Sequence, residues 1–346
     1  MQAIILVGGE GTRLRPLTWH QPKQLLRLLG FPMLERVVDR LAASGVDEVV
    51  LSLGYQPDAF VERYPEGRIG TVRVRYAIEQ EPLDTAGAIR FAAEQGGVHD
   101  TFLVVNGDVL TDLDIDALVN FHIDCGGLAT IGLVEVEDPS RFGVVVTDEA
   151  GRALRFVEKP PRNEAPSHAI NAGVYVMEPA AIERVGFGER VSAERRLFPE
   201  LAAEGSLYAQ TQRCYWIDAG TPASYLRAAF DILSGHRSAR VPPKASYPAE
   251  SRPPGGSVCY LGHDVEVAAG SRFAGSVLED GVSVAEGAHV ESSIILEGAR
   301  LGEGVRVSNS IVGAGTVVPE GVELTELAVV APSSKLRPGQ RLAGSR

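Results

Sequence analysis

The residues best suited to chemistry lie near the amino terminus, in a glycine-rich string that follows a short apolar run. The string reads Gly8-Gly9-Glu10-Gly11-Thr12-Arg13-Leu14-Arg15-Pro16-Leu17-Thr18, and a Pro22-Lys23 pair comes shortly after it. Glycine lets backbone N–H groups approach a polyphosphate closely, and Arg13 and Lys23 are cationic donors for phosphate oxygens. The spacing fits neither a Walker P-loop nor a dinucleotide fingerprint. The string therefore predicts a triphosphate-binding loop of another kind.

Together, the string and the later Pro-Lys pair resemble the signature of the sugar-nucleotide pyrophosphorylase (nucleotidyltransferase) family, most of all its mannose-1-phosphate guanylyltransferase branch. The resemblance runs along essentially the entire chain. It implies transfer of a nucleotidyl group from a nucleoside triphosphate to a hexose 1-phosphate, with release of pyrophosphate. Arg13 and Lys23 would bind the triphosphate and stabilise the departing pyrophosphate. By the same resemblance, the nucleotide-binding residues include Leu6, Gly8, Gly9, Gly11 and Thr12.

Two aspartates are implied as ligands of Mg²⁺. Asp108 follows an apolar run and Asn106-Gly107, and Asp218 lies far downstream; the resemblance gives both the metal role and also counts Asp108 as catalytic. Magnesium often takes only one or two carboxylates, beside phosphate oxygens and water. A tight Asn-Gly-Asp turn is the alternative explanation of Asp108. Nearby acidic residues are expected to cap a helix or to be solvated, namely Asp112, Asp114 and Asp116.

Sugar-phosphate binding falls, by the same resemblance, on Gly143, Glu158, Lys159 and Asn171. Lys159 can neutralise the phosphate of the attacking sugar, while Glu158 and Asn171 can hydrogen-bond sugar hydroxyls. Gly143 would offer a backbone contact to the sugar. Without the resemblance, an adjacent Glu-Lys pair would be interpreted as a solvated surface pair.

The segment Glu79–Gly87 aligns with the family segment that lies beside the nucleobase, so Glu79, Thr85 and Gly87 are expected to bind the nucleotide. The Glu79 carboxylate can accept hydrogen bonds from both N1–H and the exocyclic amine of guanine, whereas thymine offers one such donor. This favours GTP, with an exposed strand-end glutamate as the alternative. The guanylyl branch typically has glycine where this chain has Asp84.

The elements that must position these residues alternate up to about residue 234. Strands are predicted at Ala3–Val7, Glu48–Leu53, Val72–Ile78 and Phe102–Val105, and helices at Pro32–Ala43 and Thr85–Ala93, with Thr85 as a possible N-cap. Such alternation predicts an α/β fold with a doubly wound, mostly parallel, Rossmann-like sheet. Ligands of such sheets bind at the carboxyl ends of the strands, which is where the glycine string and Asp108 fall.

Residues 259–326 repeat with a period of 17, in blocks that begin at Cys259, Ser276, Ser293 and Ser310. Each block carries a glycine at the same place, namely Gly270, Gly287, Gly304 and Gly321. This pattern predicts a short parallel β-helix, left-handed by the resemblance. The predicted domains are a catalytic domain at 1–237, a Pro/Gly-rich linker at 238–257 and the β-helix with a tail at 258–346.

Composition excludes several classes of function. The 346-residue chain has a formal charge of −12, which argues against binding to nucleic acid or anionic membranes. Its three cysteines are widely separated, which fits a reducing cytoplasm. The amino-terminal apolar run is too short for a signal peptide or a membrane span. The family's habits and the exposed faces of a β-helix predict a homo-oligomer.

Several alternatives stay open at this point. Mannose 1-phosphate is the leading sugar, but glucose 1-phosphate or a sugar-like alcohol phosphate, with thymidylyl or adenylyl transfer, would need only small changes in the pocket. A non-catalytic regulatory subunit would keep the fold without turnover. A bifunctional enzyme would also transfer acyl groups on the β-helix, where only His263 and His289 offer imidazoles.

Overall fold

The computed structural model describes residues 1–237, 239–240 and 258–344. Within the predicted linker, residues 238 and 241–257 lie outside the described residues, as do 345–346 of the predicted tail. The chain divides into two compact units, which are described separately below. The first comprises Met1–Gly9 and Val37–Trp216, and the second comprises Glu10–Arg36 and Ile217–Arg346.

Strands and helices alternate through the amino-terminal part of the chain. The strands are β1 (Gln2–Leu6), β2 (Arg27–Leu28), β3 (Phe31–Pro32), β4 (Glu48–Leu53), β5 (Arg68–Ile69), β6 (Val72–Ile78), β7 (Phe102–Asn106), β8 (Val109–Thr111), β9 (Ala129–Glu135), β10 (Gly143–Thr147), β11 (Ala153–Glu158), β12 (Ala169–Met177), β13 (Leu207–Thr211) and β14 (Trp216–Asp218). The α-helices are α1 (Met33–Ala43), α2 (Pro57–Arg63), α3 (Asp84–Gly96), α4 (Ile115–Cys125), α5 (Pro179–Ile182), α6 (Phe198–Ala203) and α7 (Pro222–Leu233).

Four adjacent strands of the first unit, in the order β7-β1-β4-β6, are parallel. All four were predicted from the sequence, and their bounds are confirmed to within one residue at each end. Strand β4 is buried at every position, as a strand flanked on both edges and covered on both faces requires. The predicted α/β class is therefore confirmed, with the glycine string directly after a central strand.

The remainder of this ten-stranded sheet is largely antiparallel, so the sheet as a whole is mixed. Strand β12 runs antiparallel to β7, β9 and β10, and β11 is antiparallel to β10. Between β9 and β12 the chain is connected by short loops without an α-helix, and a parallel pair would need a long crossover. The parallel arrangement is thus confined mainly to the part where strands and helices alternate.

The main core of the first unit lies between α3 and the sheet, where Ile4, Val50, Ile89 and Val104 are fully buried. Both helices predicted from apolar spacing are present, as α1 and α3. The expectation that Thr85 caps α3 is wrong, because Leu83 occupies the N-cap position. Within the described residues, the structure contains no helix with the length and apolar character to cross a membrane.

The second unit contains the β-helix, in which three parallel sheets wind around a common core. Its strands are β15 (Tyr260–Leu261), β16 (Glu266–Val267), β17 (Arg272–Ala274), β18 (Val277–Leu278), β19 (Ser283–Val284), β20 (His289–Glu291), β21 (Ile294–Ile295), β22 (Arg300–Leu301), β23 (Arg306–Ser308), β24 (Ile311–Val312), β25 (Val317–Val318), β26 (Glu323–Thr325), β27 (Val329–Val330) and β28 (Arg341–Ala343). Paired residues lie 17 positions apart, as in Tyr260 with Val277. The predicted left-handed β-helix is therefore confirmed. In its last coil the spacing becomes 18, as where Ile311 pairs with Val329 and Glu323 with Arg341.

A column of buried serines shows how the coils satisfy polar groups in their interior. Ser276, Ser293 and Ser310 are fully buried. The Ser293 hydroxyl donates to the Glu291 carbonyl at 2.6 Å and accepts from the N–H of Ser310 at 3.1 Å. Each buried hydroxyl in this column has a backbone partner, as burial of a polar group requires.

The turns between strands depend on left-handed backbone conformations. The repeated glycines predicted from the sequence have positive φ, with Gly287 at 70°, while Ser292 adopts a similar conformation at 47°. A Cβ on Gly287 would have no neighbour closer than 3.9 Å, the N atom of Gly304. Backbone conformation, and not lack of space, is therefore the reason for glycine at this turn.

Gly287→Ala should lower the free energy of unfolding by about 1–2 kcal/mol, the usual cost of a left-handed L-residue. Urea denaturation measures this change. The change Ser292→Gly serves as the matched control and should shift stability by less than about 1 kcal/mol in the opposite direction, since strain is relieved and chain entropy is lost. Equal effects of the two changes would contradict this account.

Candidate active site

One edge of the sheet gathers most of the predicted site residues of the first unit. The register aligns Leu6, at the end of β1, with Ser52 in β4 and Asn106 in β7. Because these strands are parallel, the segments that follow them leave the sheet at the same edge. Strand β6 is parallel to β4 and ends level with it, at Ile78 beside Leu53. Gly8, Glu79 and Asp108 follow β1, β6 and β7 at this edge.

Glycines allow the segments at this edge to pack closely. A Cβ on Gly54 would lie 3.2 Å from the carbonyl oxygen of Gly8, and one on Gly107 would lie 2.5 Å from Val7 Cγ1. The Gly107 N–H also donates to the Leu6 carbonyl at 3.0 Å. The turn that carries Asp108 is therefore fixed against the first strand, as the alternative explanation of Asp108 by a tight Asn-Gly-Asp turn also expects.

The Glu79 carboxylate joins two segments of the proposed base pocket. One oxygen accepts from the Ser52 hydroxyl at 2.9 Å, and the other accepts from the Leu83 N–H at 3.1 Å. The residue is half-buried, so the alternative of an exposed strand-end glutamate is wrong. Each carboxylate oxygen keeps a lone pair beyond these contacts, and both can still accept from a base.

The start of α3 is held against the segment Glu189–Glu194. The Thr85 hydroxyl donates to Glu194 at 2.6 Å and accepts from the Ala193 N–H at 2.7 Å. A Cβ on Gly87 would lie 2.3 Å from the Glu189 carbonyl oxygen. Thr85 and Gly87 therefore fasten this helix to its neighbour, which gives each a structural role beside the proposed nucleotide contact.

The backbone conformation of Asp84 explains why related proteins typically have glycine at this position. Its φ is 54°, a left-handed conformation that favours glycine. The Asp84 carboxylate pairs with the Arg190 guanidinium through contacts of 3.0 and 3.2 Å, which orients the side chain toward the Glu189–Glu194 segment. Sequence reasoning did not identify Arg190 or Glu194, since neither belongs to a recognisable motif.

The proposed sugar-phosphate residues of the first unit also lie together. Gly143 pairs with Glu158 across β10 and β11, and a Cβ on Gly143 would lie 2.5 Å from Phe156 Cζ. Lys159 Nζ lies 2.8 Å from Glu158 Oε1, with the lysine side chain 61% exposed and the glutamate 19% exposed. The pair thus presents an accessible cation beside a partly buried acceptor.

Asn171 is oriented by neighbours in its own strand. Its amide donates to the Tyr175 hydroxyl at 2.9 Å, and its carbonyl oxygen accepts from the Gly173 N–H at 2.8 Å. Burial raises the pKa of Tyr175 well above its ordinary value, so the hydroxyl stays protonated. The second amide proton of Asn171 remains for another acceptor.

The cationic residues of the glycine string belong to the second unit. Gly11, with φ of 63°, precedes a short 3₁₀ helix at Thr12–Leu14, and its carbonyl accepts from the Thr18 hydroxyl at 2.8 Å. A Cβ on Gly11 would lie 3.2 Å from Lys23 Cβ. The loop from Gly11 to Lys23 therefore closes on itself and keeps Lys23 close to the glycine.

Asp218 lies beside Arg13 in this unit. Arg13 Nη2 approaches Asp218 Oδ2 at 3.4 Å, and Oδ1 accepts from the Gly220 N–H at 2.8 Å. The side chain of Asp218 is 22% exposed. The contact to Arg13 is long, so Oδ2 keeps lone pairs that can coordinate a metal ion, and an oxygen donor of this kind suits Mg²⁺.

Metal binding by protein atoms alone is not indicated. Among the described residues there is no group of three or more His, Cys, Asp or Glu side chains that could hold an ion. Asp108 belongs to the first unit and Asp218 to the second. Each carboxylate offers the kind of oxygen donor that Mg²⁺ prefers.

Comparison with known proteins identifies relatives of both parts of the chain. A family model described as nucleotidyl transferase matches residues 2–235, and one described as GlmU-like, C-terminal hexapeptide, matches residues 258–327. A mannose-1-phosphate guanylyltransferase of Mycobacterium tuberculosis is 38% identical over 294 residues, which are 82% of this chain and 80% of that protein. The catalytic subunit beta of the Xenopus tropicalis enzyme of that name is 40% identical over 230 residues, and the aligned part spans 63% of it.

Solved structures show the same likeness in three dimensions. The crystal structure of HddC from Yersinia pseudotuberculosis is 31% identical, covers 66% of this chain and 97% of that one, and superposes with a TM-score of 0.58. A second structure of HddC, complexed with GMP-PN, gives a TM-score of 0.57.

The structural role of Thr85 can be tested by Thr85→Val, which keeps the shape of the side chain. Loss of both hydrogen bonds should lower the free energy of unfolding by about 1–3 kcal/mol, because the Ala193 N–H loses its acceptor and Glu194 loses one of its two hydroxyl donors. Thr71→Val at an exposed position is the matched control. Similar urea midpoints for the two variants would argue against a stabilising role of the Thr85 hydroxyl.

Proposed function

The chain belongs to the nucleotidyl transferase family, and on that basis we propose that it transfers a guanylyl group from GTP to mannose 1-phosphate, with release of pyrophosphate. One observation carries the proposal. At the carboxyl ends of the parallel strands, closely packed glycines lie with Asp108 and with the Glu79 carboxylate, which Ser52 and the Leu83 N–H orient. Relatives named as mannose-1-phosphate guanylyltransferases support the choice of both substrates.

The nucleotide would bind along the glycine string. Gly8, Gly9 and Gly11 permit close approach of backbone N–H groups to the phosphates. Thr12 and Leu6 would border the nucleotide, and Arg13 and Lys23 would donate to the pyrophosphate as its charge increases. Glu79, flanked by Thr85 and Gly87, would accept from guanine.

The sugar phosphate would bind beside Lys159. Its phosphate would replace Glu158 as the anionic partner of the Lys159 ammonium group. Glu158 would then accept a hydrogen bond from a sugar hydroxyl. The remaining amide proton of Asn171 and the backbone at Gly143 would contact other sugar atoms. These residues would orient one phosphate oxygen toward the nucleotide.

The reaction is an in-line displacement. An oxygen of the sugar phosphate attacks the α-phosphorus, the new P–O bond forms, and the bond to the β-phosphate oxygen breaks as pyrophosphate leaves. The attacking oxygen is already ionised near neutral pH, so no histidine need act as a base. The protein's own contribution is to hold two anions together and to stabilise the leaving group.

Members of this family generally use a divalent metal ion. We infer that Asp108 and Asp218 would hold Mg²⁺, since both offer hard oxygen donors and Asp218 Oδ2 has only a long contact to Arg13. When bound, the ion would neutralise charge on the phosphates.

Three further features belong to the same proposal. The functional division is 1–237, 238–257 and 258–346, which groups the glycine string with the catalytic domain. A cytoplasmic location is supported by the three free thiols at Cys125, Cys214 and Cys259. A homo-oligomer would use the exposed faces of the β-helix.

Pyrophosphate release tests the proposed function. With Mg²⁺ present, GTP, dTTP, ATP and UTP are each combined with mannose 1-phosphate and glucose 1-phosphate, and turnover is expected to be highest for GTP with mannose 1-phosphate. A different preferred pair would keep the enzyme class and refute the substrate assignment. No turnover in any combination, while a catalytic relative remains active in the same assay, would favour a regulatory subunit.

The role of Glu79 can be tested by Glu79→Gln. Loss of a charge-assisted hydrogen bond worth about 1.5–3 kcal/mol should lower kcat/KM for GTP by about 10- to 100-fold. The neighbouring exposed Glu81 provides the matched control, Glu81→Gln. Equal losses with GTP and ATP would mean that Glu79 acts by holding Ser52 and Leu83 and does not distinguish guanine.

A further inference from the structure

A strained hairpin follows Lys23 within the second unit. Strands β2 and β3 pair through Arg27 with Pro32 and Leu28 with Phe31, and the connecting residues Leu29 and Gly30 have φ values of 48° and 85°. A two-residue turn of this kind requires positive φ at both positions. Leu29 is a branched residue in a conformation that favours glycine, and such strain persists only where surrounding contacts impose it.

Glu279 of the β-helix supplies the principal contact at the hairpin tip. The Gly30 N–H donates to both carboxylate oxygens, at 3.0 and 3.2 Å. Arg27 Nη2 donates to Asp280 at 2.6 Å, and Arg27 Nε lies 3.6 Å from Glu279 Oε2. The Glu279 side chain is completely buried. Each residue in this cluster belongs to the same compact unit.

The coil repeat does not account for this carboxylate. Positions that correspond to Glu279 in the other coils are occupied by Gly262, Leu296 and Gly313. Burial of a carboxylate is unfavourable unless it is paired and hydrogen-bonded. Its partners here lie on the hairpin, so the hairpin is the reason for a carboxylate at this place in the β-helix.

Two further side chains fix the backbone of the same hairpin. Arg36 donates to the carbonyl oxygens of Leu28 and Leu29, and the Tyr225 hydroxyl donates to the carbonyl of Arg27. Arg36 and Tyr225 thus bind carbonyl groups of the hairpin, while Glu279 binds the Gly30 N–H. Removal of the Glu279 carboxylate would leave the Gly30 N–H without its acceptor and would release the strained turn.

Lys23 is connected directly to this hairpin. It begins the 3₁₀ helix Lys23–Leu25, whose carbonyl at Lys23 accepts from the N–H of the fully buried Leu26 at 3.1 Å. Arg27 follows at once. The loop from Gly11 to Lys23 is closed by its own contacts, so a shift of the hairpin would move Lys23 and the glycine string together.

We propose that Glu279 is a positioning residue for nucleotidyl transfer: by holding the hairpin at Arg27 and Gly30, the β-helix sets the place of Lys23 and Arg13. The inference rests on the proposed function for the roles of those two cations. It gives the β-helix an indirect part in the reaction, through the position of these two cations.

Glu279 also gives this contact a distinctive dependence on pH. Burial raises the pKa of the carboxyl from 4.5 to about 7, although Arg27 and the Gly30 N–H act in the opposite direction. Tyr225 and Tyr260 are its titratable tyrosine neighbours. The other charged groups that interact with Glu279 or with these tyrosines are Arg27, Arg36, Asp280 and Glu297. Burial raises the pKa of Tyr225 and Tyr260 further above neutrality, so Glu279 is the buried member of the cluster expected to titrate there.

The sign of the effect differs between stability and activity. Since folding raises the pKa of this acid, its protonated form favours the folded state, and this contribution is lost as pH rises from about 4.5 through about 7. The ionised form accepts from Gly30 and attracts Arg27. Activity linked to the hairpin should therefore rise with pH over the range in which this contribution to stability falls.

Glu279→Gln tests the proposal, with the exposed β-helix residue Glu291 as the matched control in Glu291→Gln. Glu279→Gln should lower kcat about tenfold or more through misplacement of the cations, with KM for mannose 1-phosphate changed by less than about twofold. The kcat of Glu279→Gln, divided by the kcat of wild type at the same pH, should fall as pH rises from 6 to 8. The ratio is used because the sugar phosphate itself ionises at about pH 6, which changes the kcat of both proteins alike. Glu291→Gln should behave as wild type.

Hydrogen exchange provides a measurement that does not depend on turnover. Peptides covering residues 22–32 should exchange faster in Glu279→Gln than in wild type or Glu291→Gln, and wild type itself should exchange faster at pH 6 than at pH 8 after correction for intrinsic rates. If Glu279→Gln does not fold, Arg27→Lys replaces it, since it keeps the charge but removes the guanidinium Nε that lies 3.6 Å from Glu279 Oε2.

The outcomes separate the two proposals. An active wild type whose kcat and pH profile are unchanged by Glu279→Gln would overturn the positioning role and leave the proposed function intact. An inactive wild type would overturn the proposed function, and unchanged exchange over residues 22–32 would then reject the hold of Glu279 on the hairpin as well.

Discussion

The register of four parallel strands is the constraint on which the candidate site of the first unit depends. Hydrogen bonds place Leu6 level with Ser52 and Asn106, so the segments after β1, β4 and β7 emerge side by side. A Cβ at Gly107 would clash with the Val7 side chain, and one at Gly54 would lie only 3.2 Å from the Gly8 carbonyl oxygen. A shift of one residue in any of these strands would exchange the faces of its side chains and remove the row of site residues.

Polar residues of the site are oriented by protein partners. Glu79 is held by Ser52 and the Leu83 N–H, and Asn171 is held by Tyr175 and the Gly173 N–H. Side chains fixed in this way lose little further entropy when a ligand binds, and their dipoles need little reorganisation during reaction. Lys159 differs, because its exposed ammonium group can exchange one anionic partner for another.

The β-helix combines a regular repeat with a buried carboxylate that the repeat does not predict. Its turns repeat left-handed residues and its interior repeats apolar or hydrogen-bonded side chains, which together stabilise a stack of similar coils. Glu279 interrupts that pattern with a buried carboxylate directed at the hairpin of residues 27–32. The segment Glu10–Arg36 accordingly packs as part of the same compact unit as the coils.

Sequence alone determined the fold class and the repeat, because strand periodicity, turn glycines and a 17-residue period are local properties of the chain. The glycine string and, by family resemblance, the two aspartates were also proposed from the sequence, because their residue types are suited to phosphate and metal. Only the tertiary structure revealed the antiparallel half of the sheet, the clamp of Thr85 by Glu194, the pairing of Asp84 with Arg190 and the contact of Glu279 with Gly30. Each of these joins residues that are distant in sequence, and no local pattern specifies which distant partner a side chain will meet.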